Sequence, residues 1–382
     1  MNFIKKYLAK IFLFVALFAV IGGAFFALKT NNVLNKKSAE AKESARPANL
    51  EITIISTPNC ENCFNINGAV DNFKKQNVLV DSEKQLPFDS PEAQIFIQKF
   101  AIQKVPTYIA IGEIEKKNIE NFVKNNGEIR ENTFIFTKIV PVYIDPASKK
   151  EFGHVQLTYI TDPSCAQCLD FKPTINAYKK AGVKFIEEKS YPWNSSEGQK
   201  LIRQYKIIKI PTIVMSSGIA FYDQIKQVWQ NIGTVENDGV YVARNIPLPY
   251  RDTGKGLVGF VDVIYLKDFA CADCYKPEEI HKNVLRNGYG IGIRSEKAID
   301  IASAEGKNIV KKYQITKIPT MLVSPGISEY SNLAKVWPQV GTAEKDGWYV
   351  FRQMEQLGSM VYKDLSTNQI IRPQPTKDNE TP

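Results

Sequence analysis

The chain has 382 residues, of which 44% are hydrophobic and 23% charged, and its net charge is +9 from 49 basic and 40 acidic residues. This is ordinary globular composition, which excludes a mostly disordered chain, a collagen-like chain and a polytopic membrane protein. Residues 1–50 hold eight basic and two acidic residues, which is +6 of the +9. The rest of the chain has no basic cluster, so no nucleic-acid partner is expected.

An uncharged run over 11–28 follows three lysines near the N-terminus. As a helix it reaches roughly 27 Å, close to the thickness of a bilayer core. A cleaved signal peptide, the alternative, has a shorter apolar core. We predict a cytoplasmic basic end over 1–10, a transmembrane signal anchor over 11–28 and a polar linker over 29–50. The folded part is then expected outside the cytoplasm, in the periplasm or the extracellular space, tethered to the cell membrane.

Three marks recur in register along the rest of the chain: a Cys-x-x-Cys pair, a glutamate, and a proline followed by threonine. The proline lies 46, 46 and 48 residues after the first cysteine, and the glutamate lies 14 residues before the proline each time. The cysteine pairs are Cys60 and Cys63, Cys165 and Cys168, and Cys271 and Cys274. The repeat predicts homologous domains over 51–147, 148–254 and 255–366, each long enough for its own core. A proline-rich tail over 367–382 is predicted to be disordered.

Within a repeat, the pattern of apolar residues predicts alternating strands and helices. A strand leads into the cysteine pair, the pair opens a helix, and a second strand and helix precede the proline. A strand, a helix and a hairpin strand follow it. In the second repeat these elements are predicted over 157–160, 169–180, 183–187, 196–205, 212–215, 221–229 and 240–243. The alternation predicts the α/β class, with a mixed sheet flanked by helices.

The order of strand, Cys-x-x-Cys and Ile/Val-Pro-Thr resembles thioredoxin, from the first strand of each repeat through the strand after the proline. The resemblance implies three tandem thioredoxin-like domains after one N-terminal transmembrane helix. It implies that the first cysteine is the exposed nucleophile, that the second resolves the mixed disulfide, and that the proline is cis beside the pair. It also implies that the residue before the proline pairs with the substrate backbone. The prolines and the residues before them are Val105 and Pro106, Ile210 and Pro211, and Ile318 and Pro319.

The predicted position of the cysteines also suits exchange chemistry. A thiolate at a helix N-terminus faces unpaired N–H groups, which stabilise it. Two of the differences from thioredoxin bear on reactivity. Glu61 and Asp273 bring negative charge to their pairs, which favours the disulfide. The acid expected six residues before the first cysteine is replaced by Ile54, Tyr159 and Tyr265.

Three functions are compatible with these residues. The leading one is a membrane-anchored thiol-disulfide oxidoreductase or isomerase, whose partners are cysteine-containing protein substrates and a redox partner protein. The second is a binding scaffold with static disulfides, which persist in oxidising compartments. The third is metal binding by the thiolates, although structural zinc takes four ligands and each repeat offers two cysteines. No nucleotide-binding motif occurs, so we predict no cofactor and no metal site.

Two further recurring features have competing interpretations. A lysine precedes each proline by two residues. As a functional residue it would attract an acidic client or polarise the site, and otherwise it is ordinary surface charge. These lysines are Lys104, Lys209 and Lys317. The second and third repeats share a Trp-x3-Gly-Thr-x-Glu-x-Asp-Gly motif that begins at Trp229 and Trp337. This motif favours a hairpin turn with a packing aromatic over a ligand site.

Overall fold

The structure, a computed structural model, describes residues 30 and 34–373. The predicted basic end over 1–10 and the predicted anchor over 11–28 lie outside the described residues. Among those that are described, no helix combines the length and the apolar character needed to cross a membrane.

The first of two compact units, Met1–Gly153, alternates strands and helices after a helical segment over 34–45. Its strands are β1 (Ala48–Ser56), β2 (Val78–Pro87), β3 (Thr107–Gly112), β4 (Gly127–Arg130), β5 (Thr133–Phe136), β6 (Tyr143–Asp145) and β7 (Lys150–Phe152). Its helices are α1 (Ile66–Lys74), α2 (Pro91–Lys99) and α3 (Glu120–Asn126). The sheet order is β2-β1-β3-β5-β4, with β1 parallel to β2 and antiparallel to β3, and β6–β7 is a separate hairpin.

The second unit, His154–Pro382, contains two sheets of the same kind. The strands of the second repeat are β8 (His154–Thr161), β9 (Lys184–Pro192), β10 (Lys209–Ile210), β11 (Thr212–Met215), β12 (Gly233–Val235), β13 (Tyr241–Ala243), β14 (Tyr250–Asp252) and β15 (Gly256–Val258). Its helices are α4 (Lys172–Lys180), α5 (Ser196–Gln204) and α6 (Asp223–Val228), with short 3-10 helices at Ser217–Phe221 and Trp229–Asn231. The large sheet has the order β9-β8-β11-β13-β12, and β10-β14-β15 form a small one.

The third repeat has the same arrangement and also lies within the second unit. Its strands are β16 (Phe260–Lys267), β17 (Gly292–Asp300), β18 (Lys317–Ile318), β19 (Thr320–Val323), β20 (Gly341–Ala343), β21 (Tyr349–Phe351), β22 (Tyr362–Asp364) and β23 (Gln369–Ile371). Its helices are α7 (Pro277–Asn283), α8 (Ala304–Lys312) and α9 (Ser331–Val340), with a π-helical turn at Val284–Gly288 and 3-10 helices at Pro325–Glu329 and Met354–Leu357. The large sheet has the order β17-β16-β19-β21-β20, and β18-β22-β23 form the small one.

The repeated glutamate belongs to a helix start in all three repeats. A serine caps each of α2, α5 and α8, and its Oγ accepts the N–H three residues later at 3.0 to 3.2 Å. The glutamate lies in the first turn, where a negative charge is stabilised by the helix dipole. The caps and glutamates are Ser90 and Glu92, Ser195 and Glu197, and Ser303 and Glu305. This mark of the repeat is therefore structural.

The predicted elements of the second repeat differ from the observed ones mainly at their ends. α5 and β11 agree with the predictions over 196–205 and 212–215. The strand predicted over 183–187 continues to Pro192, because β9 pairs in parallel along the whole of β8. The helical prediction over 221–229 breaks into α6 and two 3-10 helices.

Two predictions about flanking segments need correction. β23 forms at Gln369–Ile371, inside the tail predicted to be disordered, because it pairs with β22. β1 begins at Ala48, inside the segment predicted as a linker, because Ala48 already pairs with Val78 in β2. Both predicted boundaries therefore lie inside paired strands.

The tryptophan motif forms a hairpin, as its Asp-Gly turn predicts. Trp229 and Trp337 are each 2% exposed. Their indole N–H groups donate to the carbonyls of Thr234 and Thr342, at 3.0 and 3.3 Å. The tryptophans are therefore packing residues that fasten the edge hairpin to the core.

Candidate functional site

Each cysteine pair lies in the loop after the carboxyl end of the first strand of its sheet, following β1, β8 and β16. The N–H of the first cysteine donates to the carbonyl three residues earlier, at 3.0 to 3.1 Å, which closes the loop into a turn. All three pairs form disulfides. They are Cys60–Cys63, Cys165–Cys168 and Cys271–Cys274, with Cα atoms 5.4, 5.4 and 5.5 Å apart.

The following helix does not begin at the cysteines, which corrects the prediction. α1, α4 and α7 begin at Ile66, Lys172 and Pro277. In the first repeat, the N–H of Phe64 donates instead to the carbonyl of Val142 at 2.8 Å. In the third, the N–H of Tyr275 donates to the carbonyl of Val361 at 2.9 Å. These bonds keep the chain out of the helix just after the pair, so the first cysteine does not face the helix's unpaired N–H groups.

The peptide bonds that precede the three prolines, Pro106, Pro211 and Pro319, are cis. The threonine after each proline pairs with the residue five positions before the first cysteine, on the neighbouring antiparallel strand. This register brings the proline and the cysteine loop to the same end of the sheet. The threonines are fully buried, and each hydroxyl donates to a carbonyl at the end of β5, β13 or β21.

A hairpin follows each large sheet and lies against the cysteine loop. We call β6–β7, β14–β15 and β22–β23 the cover hairpins. Each pairs its backbone with the residue before the cis-proline, and in the first repeat the two hydrogen bonds measure 2.9 and 2.7 Å. The paired residues are Val105 with Ile144, Ile210 with Arg251, and Ile318 with Lys363. The backbone expected to pair with a substrate is therefore already paired within the chain.

The lysine two residues before each proline also contacts the cover hairpin. Its ammonium group lies over a tyrosine ring at a distance that permits a cation–π interaction. The pairs are Lys104 over Tyr143 at 4.7 Å, Lys209 over Tyr250 at 4.6 Å and Lys317 over Tyr362 at 5.8 Å. The lysine thus contacts the cover hairpin in all three repeats. The sequence had suggested attraction of a client, polarisation of the site or surface charge, and not this contact.

Sequence reasoning missed the cover hairpins, although they carry a recurring Tyr-x-Asp. The aspartate Oδ1 accepts the backbone N–H two residues later, at 2.7 to 3.0 Å, and so starts the hairpin turn. The three segments begin at Tyr143, Tyr250 and Tyr362. Their distance from the proline differs among the repeats, so they do not stand out in a search for marks at constant spacing.

A charge pair joins the cover hairpin to the cysteine loop in the second and third repeats. Three residues before the first cysteine, Asp162 accepts from Arg251 Nε at 2.6 Å, and Asp268 accepts from Lys363 Nζ at 2.8 Å. The hydrogen bond from Lys363 holds the pKa of Asp268 below its usual range. The first repeat has Thr57 at this loop position and therefore lacks the pair.

Burial alone would raise the pKa of Asp162, whose side chain is 1% exposed. The hydrogen bonds from Ser164 and Arg251 outweigh burial and hold this pKa below its usual range. Ser164 directly precedes Cys165, and its hydroxyl also accepts from Arg251 at 3.1 Å. The ion pair thus fastens the hairpin beside the disulfide.

The strand order, the disulfide loop after the first strand and the cis-proline before the antiparallel strand decide the fold. Each repeat has a thioredoxin-like fold. The helix that precedes the last two sheet strands, and the cover hairpin after them, are additions to the strand–helix pattern that carries the resemblance.

Comparisons with known proteins add little to this assignment. No family model matches the sequence, and neither does any curated protein. Solved structures that match include the N-terminal domain of alkylhydroperoxide reductase AhpF from Enterococcus faecalis, at 12% identity over 44% of this chain and 81% of that one, with a TM-score of 0.14. Human ERp44 matches at 12% identity over 74% and 77%, with a TM-score of 0.13, and ERdj5 at 11% over 73% and 38%, with a TM-score of 0.14. Scores this low carry no argument, so the fold rests on the geometry of the chain itself.

The third thioredoxin-like domain has a buried polar network beside its cysteines. The hydroxyl of Tyr275 donates to the carbonyl of Pro319 at 2.8 Å and lies 3.0 Å from Nε2 of His281. Because the hydroxyl has one proton, Nε2 donates to it. Burial lowers the pKa of His281 to about 4. The same positions hold Phe64 and Val70 in the first repeat, and Leu169 and Ile175 in the second.

In the second unit, the Cys165 loop is hydrogen-bonded to the sheet of the third domain. Gln167 lies between the two cysteines, and its side-chain amide donates to the carbonyl of Ile293 at 2.8 Å and accepts its N–H at 3.1 Å. Ile293 belongs to β17, the edge strand of that sheet, so the amide adds to the strand as a neighbouring backbone would. Asp273 holds the corresponding position in the third domain and pairs with Arg372.

The first cysteines differ in exposure. Cys60 and Cys165 are each 8% exposed, whereas Cys271 is partly exposed.

At the position where thioredoxin has an acid, Tyr265 donates its hydroxyl to Glu296 at 3.0 Å. Burial, and then that hydrogen bond, raise the pKa of Tyr265. Within the part of the chain that the structure describes, no three His, Cys, Asp or Glu side chains are grouped to hold a metal.

Proposed function

We propose that the protein carries out thiol–disulfide exchange on cysteine-containing polypeptides, and that Cys271–Cys274 is the reacting pair. One observation carries the proposal: this disulfide lies beside a cis-proline in a thioredoxin-like domain, and its first cysteine is partly exposed. A client thiolate needs access to one sulfur of the pair for exchange to occur.

The exchange needs no co-reactant other than the client. A client thiolate attacks Sγ of Cys271, a client–Cys271 disulfide forms, and Cys274 leaves as a thiolate that takes up a proton. A second client thiolate then attacks the client sulfur of this mixed disulfide and releases Cys271, so that two electrons have passed from the client to the pair. The reverse sequence reduces a client disulfide.

The charges around Cys271 support this choice. Asp268 and Asp273 place two carboxylates near the pair, and by themselves they would disfavour a thiolate. Each carboxylate has a cationic partner, Lys363 for Asp268 and Arg372 for Asp273. Each pairing offsets part of the negative charge, more for the half-buried Asp268 than for the exposed Asp273.

The first and second pairs are weaker candidates for the same reaction. Cys60 and Cys165 are nearly buried. In the second domain, two hydrogen bonds tie Gln167, the residue before Cys168, to Ile293 of the neighbouring sheet. These two disulfides suit the role of static crosslinks within their domains.

We further propose that the folded domains act outside the cytoplasm and are anchored by the uncharged segment over 11–28. The length of that segment and the lysines before it support this location. Disulfides that persist in the resting protein also fit an oxidising compartment.

A binding scaffold with three static disulfides is the second candidate. The cover hairpins favour it, because they fill the backbone edge beside every cis-proline. In this case the domains would present surfaces to partners, and no pair would turn over.

Redox equilibration separates the two functions. The full chain in detergent is equilibrated with graded mixtures of reduced and oxidised glutathione, thiols are trapped by alkylation, and each pair is read by peptide mass spectrometry. Exchange enzymes have potentials between about −120 and −270 mV. We expect Cys271–Cys274 in that range. If all three pairs lie below about −300 mV, where structural disulfides lie, the scaffold function stands and the oxidoreductase proposal fails.

A further inference from the structure

The backbone at Ile318, just before the third cis-proline, is a strand edge. It is paired with β22 of the same chain, Ile318 with Lys363. The segment runs on in both directions, because Tyr275 donates to the carbonyl of Val361 at 2.9 Å and Leu365 donates to that of Thr316 at 2.7 Å. It therefore bridges the cysteine loop and the proline loop, which is the path of a client strand added at this edge.

Side chains fix the register of the bound segment. Lys363 pairs with Asp268 across 2.8 Å, and these side chains are 19% and 12% exposed. The ring of Tyr362 lies beneath the ammonium group of Lys317. The site thus holds an aromatic residue followed by a basic one, and each meets a charge of the domain.

We propose that the third cover hairpin is a built-in competitor for clients: the edge at Ile318 accepts an extended, cysteine-bearing segment with an aromatic residue followed by a basic one, and the chain's own β22 fills it until a client replaces it. This inference rests on the proposed exchange function. It assigns the chemical class of the client segment and the step that lets the client bind, which is the release of β22 from the edge.

The acid and the cation vary together among the repeats, which supports recognition of a basic residue. Asp162 faces Arg251 in the second domain, as Asp268 faces Lys363 in the third. Where the loop has Thr57, the hairpin has the apolar Ile144. The loop position three residues before the first cysteine is therefore matched to the residue that occupies the edge.

The second and third cover hairpins are held by different contacts. A Cβ added to Gly292 of β17 would lie 2.9 Å from the ring of Pro249, so that proline is packed closely against the third sheet. The third hairpin is anchored by Tyr362, which is 6% exposed and packs in the core of its own domain. Its outer strand β23 includes the exposed Gln369 and Ile370, and Arg372 beyond it forms a surface ion pair with Asp273.

Competition has a kinetic signature. A client binds only the fraction of molecules whose edge is free, so its apparent affinity and exchange rate fall by that fraction. A small thiol needs the sulfur of Cys271 but not the edge. Loosening the hairpin should therefore speed exchange with polypeptides and leave exchange with small thiols unchanged.

The test uses the full chain and follows the Cys271–Cys274 pair by mass spectrometry. Lys363→Met removes the ion pair from the hairpin side and Asp268→Asn removes it from the loop side. Each variant is compared with the unchanged protein, using reduced, unfolded ribonuclease and dithiothreitol as thiols. Arg251→Met, the matched change in the second domain, is the control. We expect Lys363→Met to exchange at least about fivefold faster with ribonuclease and less than about twofold faster with dithiothreitol, and Arg251→Met to match the unchanged protein. Asp268→Asn frees the edge but also removes the acid that a client's basic residue would meet, so its increase with ribonuclease should be smaller.

Client chemistry is tested with two short cysteine peptides that differ only in carrying Tyr-Lys or Tyr-Glu. Lys363→Met should exchange faster with the Tyr-Lys peptide, and Asp268→Asn should erase the difference. Three results for Lys363→Met would each overturn the inference alone: equal rates for the two peptides, an unchanged rate with ribonuclease, or an equal increase with ribonuclease and dithiothreitol. If the third pair exchanges with no thiol in any variant, the proposed function fails, and the competition fails with it.

Discussion

The second and third cysteine loops have the same local construction and differ in the partner of the residue before the second cysteine. Both follow the first strand of a mixed sheet, both form disulfides beside a cis-proline, and both have an aspartate paired with a hairpin cation. Gln167 in the second loop is hydrogen-bonded to the edge of a neighbouring sheet, whereas Asp273 in the third meets a surface arginine. If the proposed function holds, the comparison teaches that one fold gives a static crosslink or a reactive disulfide according to the contacts of its loop.

The strongest test of this difference replaces the first cysteine of each pair. We expect Cys271→Ser to lower exchange with unfolded ribonuclease at least about 100-fold, because the sulfur that forms the mixed disulfide is gone. Cys165→Ser should keep the rate within about twofold. A stopped assay of ribonuclease disulfides measures both variants. Comparable losses of rate in the two variants would show that the second cysteine pair is as active as the third.

The buried network of the third domain should make the protein sensitive to acid. The pKa of His281 is lowered from its ordinary 6.5 to about 4 by burial. Between these values the unfolded chain binds a proton that the folded one does not, so the free energy of unfolding falls as the pH falls from 6.5 toward 4. The full loss is about 3 kcal/mol, and the contribution is complete above pH 6.5.

Urea unfolding across this pH range measures the effect. The double variant Tyr275→Phe, His281→Val installs the residues of the first repeat and should lose this part of the pH dependence. A variant with the same acid sensitivity as the unchanged protein would exclude His281 as its source.

The contact between the second cysteine loop and the neighbouring sheet can be removed by a single substitution. Gln167→Ala deletes two hydrogen bonds, each worth about 1 kcal/mol. We expect alkylation of Cys165 in the reduced protein to become about tenfold faster. Alkylation of Cys271 in the same sample is the internal control and should stay constant. No change at Cys165 would mean that something other than Gln167 protects this sulfur.

The smallest effect is expected at Asp273. Its pair with Arg372 is exposed on both sides, at 58% and 59% for the two side chains. Exposed pairs contribute less than about 1 kcal/mol, which limits the change in potential of this two-electron couple to roughly 20 mV. Arg372→Gln should therefore shift the potential of Cys271–Cys274 by no more than that in glutathione buffers. A larger shift would give this surface pair a direct role in setting the reactivity of the disulfide.

The repeated motifs were enough to predict three thioredoxin-like sheets, because each mark has a local cause. The serine and glutamate start a helix, the threonine bonds a neighbouring strand, and the proline precedes a buried strand. Thr212 and Ser195 illustrate this, since each makes its hydrogen bond within its own domain. In the first and third repeats, the start of the helix was placed too early because the residue after the cysteine pair bonds a carbonyl beside a hairpin that lies far along the chain.

The contacts that decide access to the cysteines could not be predicted in the same way. Gln167 and Ile293 are 126 positions apart, and neither residue type stands out in its segment. The cover hairpins carry a recognisable Tyr-x-Asp, but its spacing from the proline is not constant. Both features depend on how distant segments meet, which periodicity within one repeat does not record.

Capture of a client is the most direct test of the claim that the third domain is the reactive one. Cys274→Ser leaves Cys271 free to hold a client as a mixed disulfide, and Cys168→Ser and Cys63→Ser do the same for the other domains. The three variants, as full chains in detergent, are mixed with oxidised, unfolded ribonuclease and analysed by non-reducing electrophoresis and mass spectrometry. We predict a mixed disulfide through Cys271 in the first variant and little or none in the other two. Capture through Cys165 or Cys60 to the same extent, or no capture through Cys271, would contradict the account.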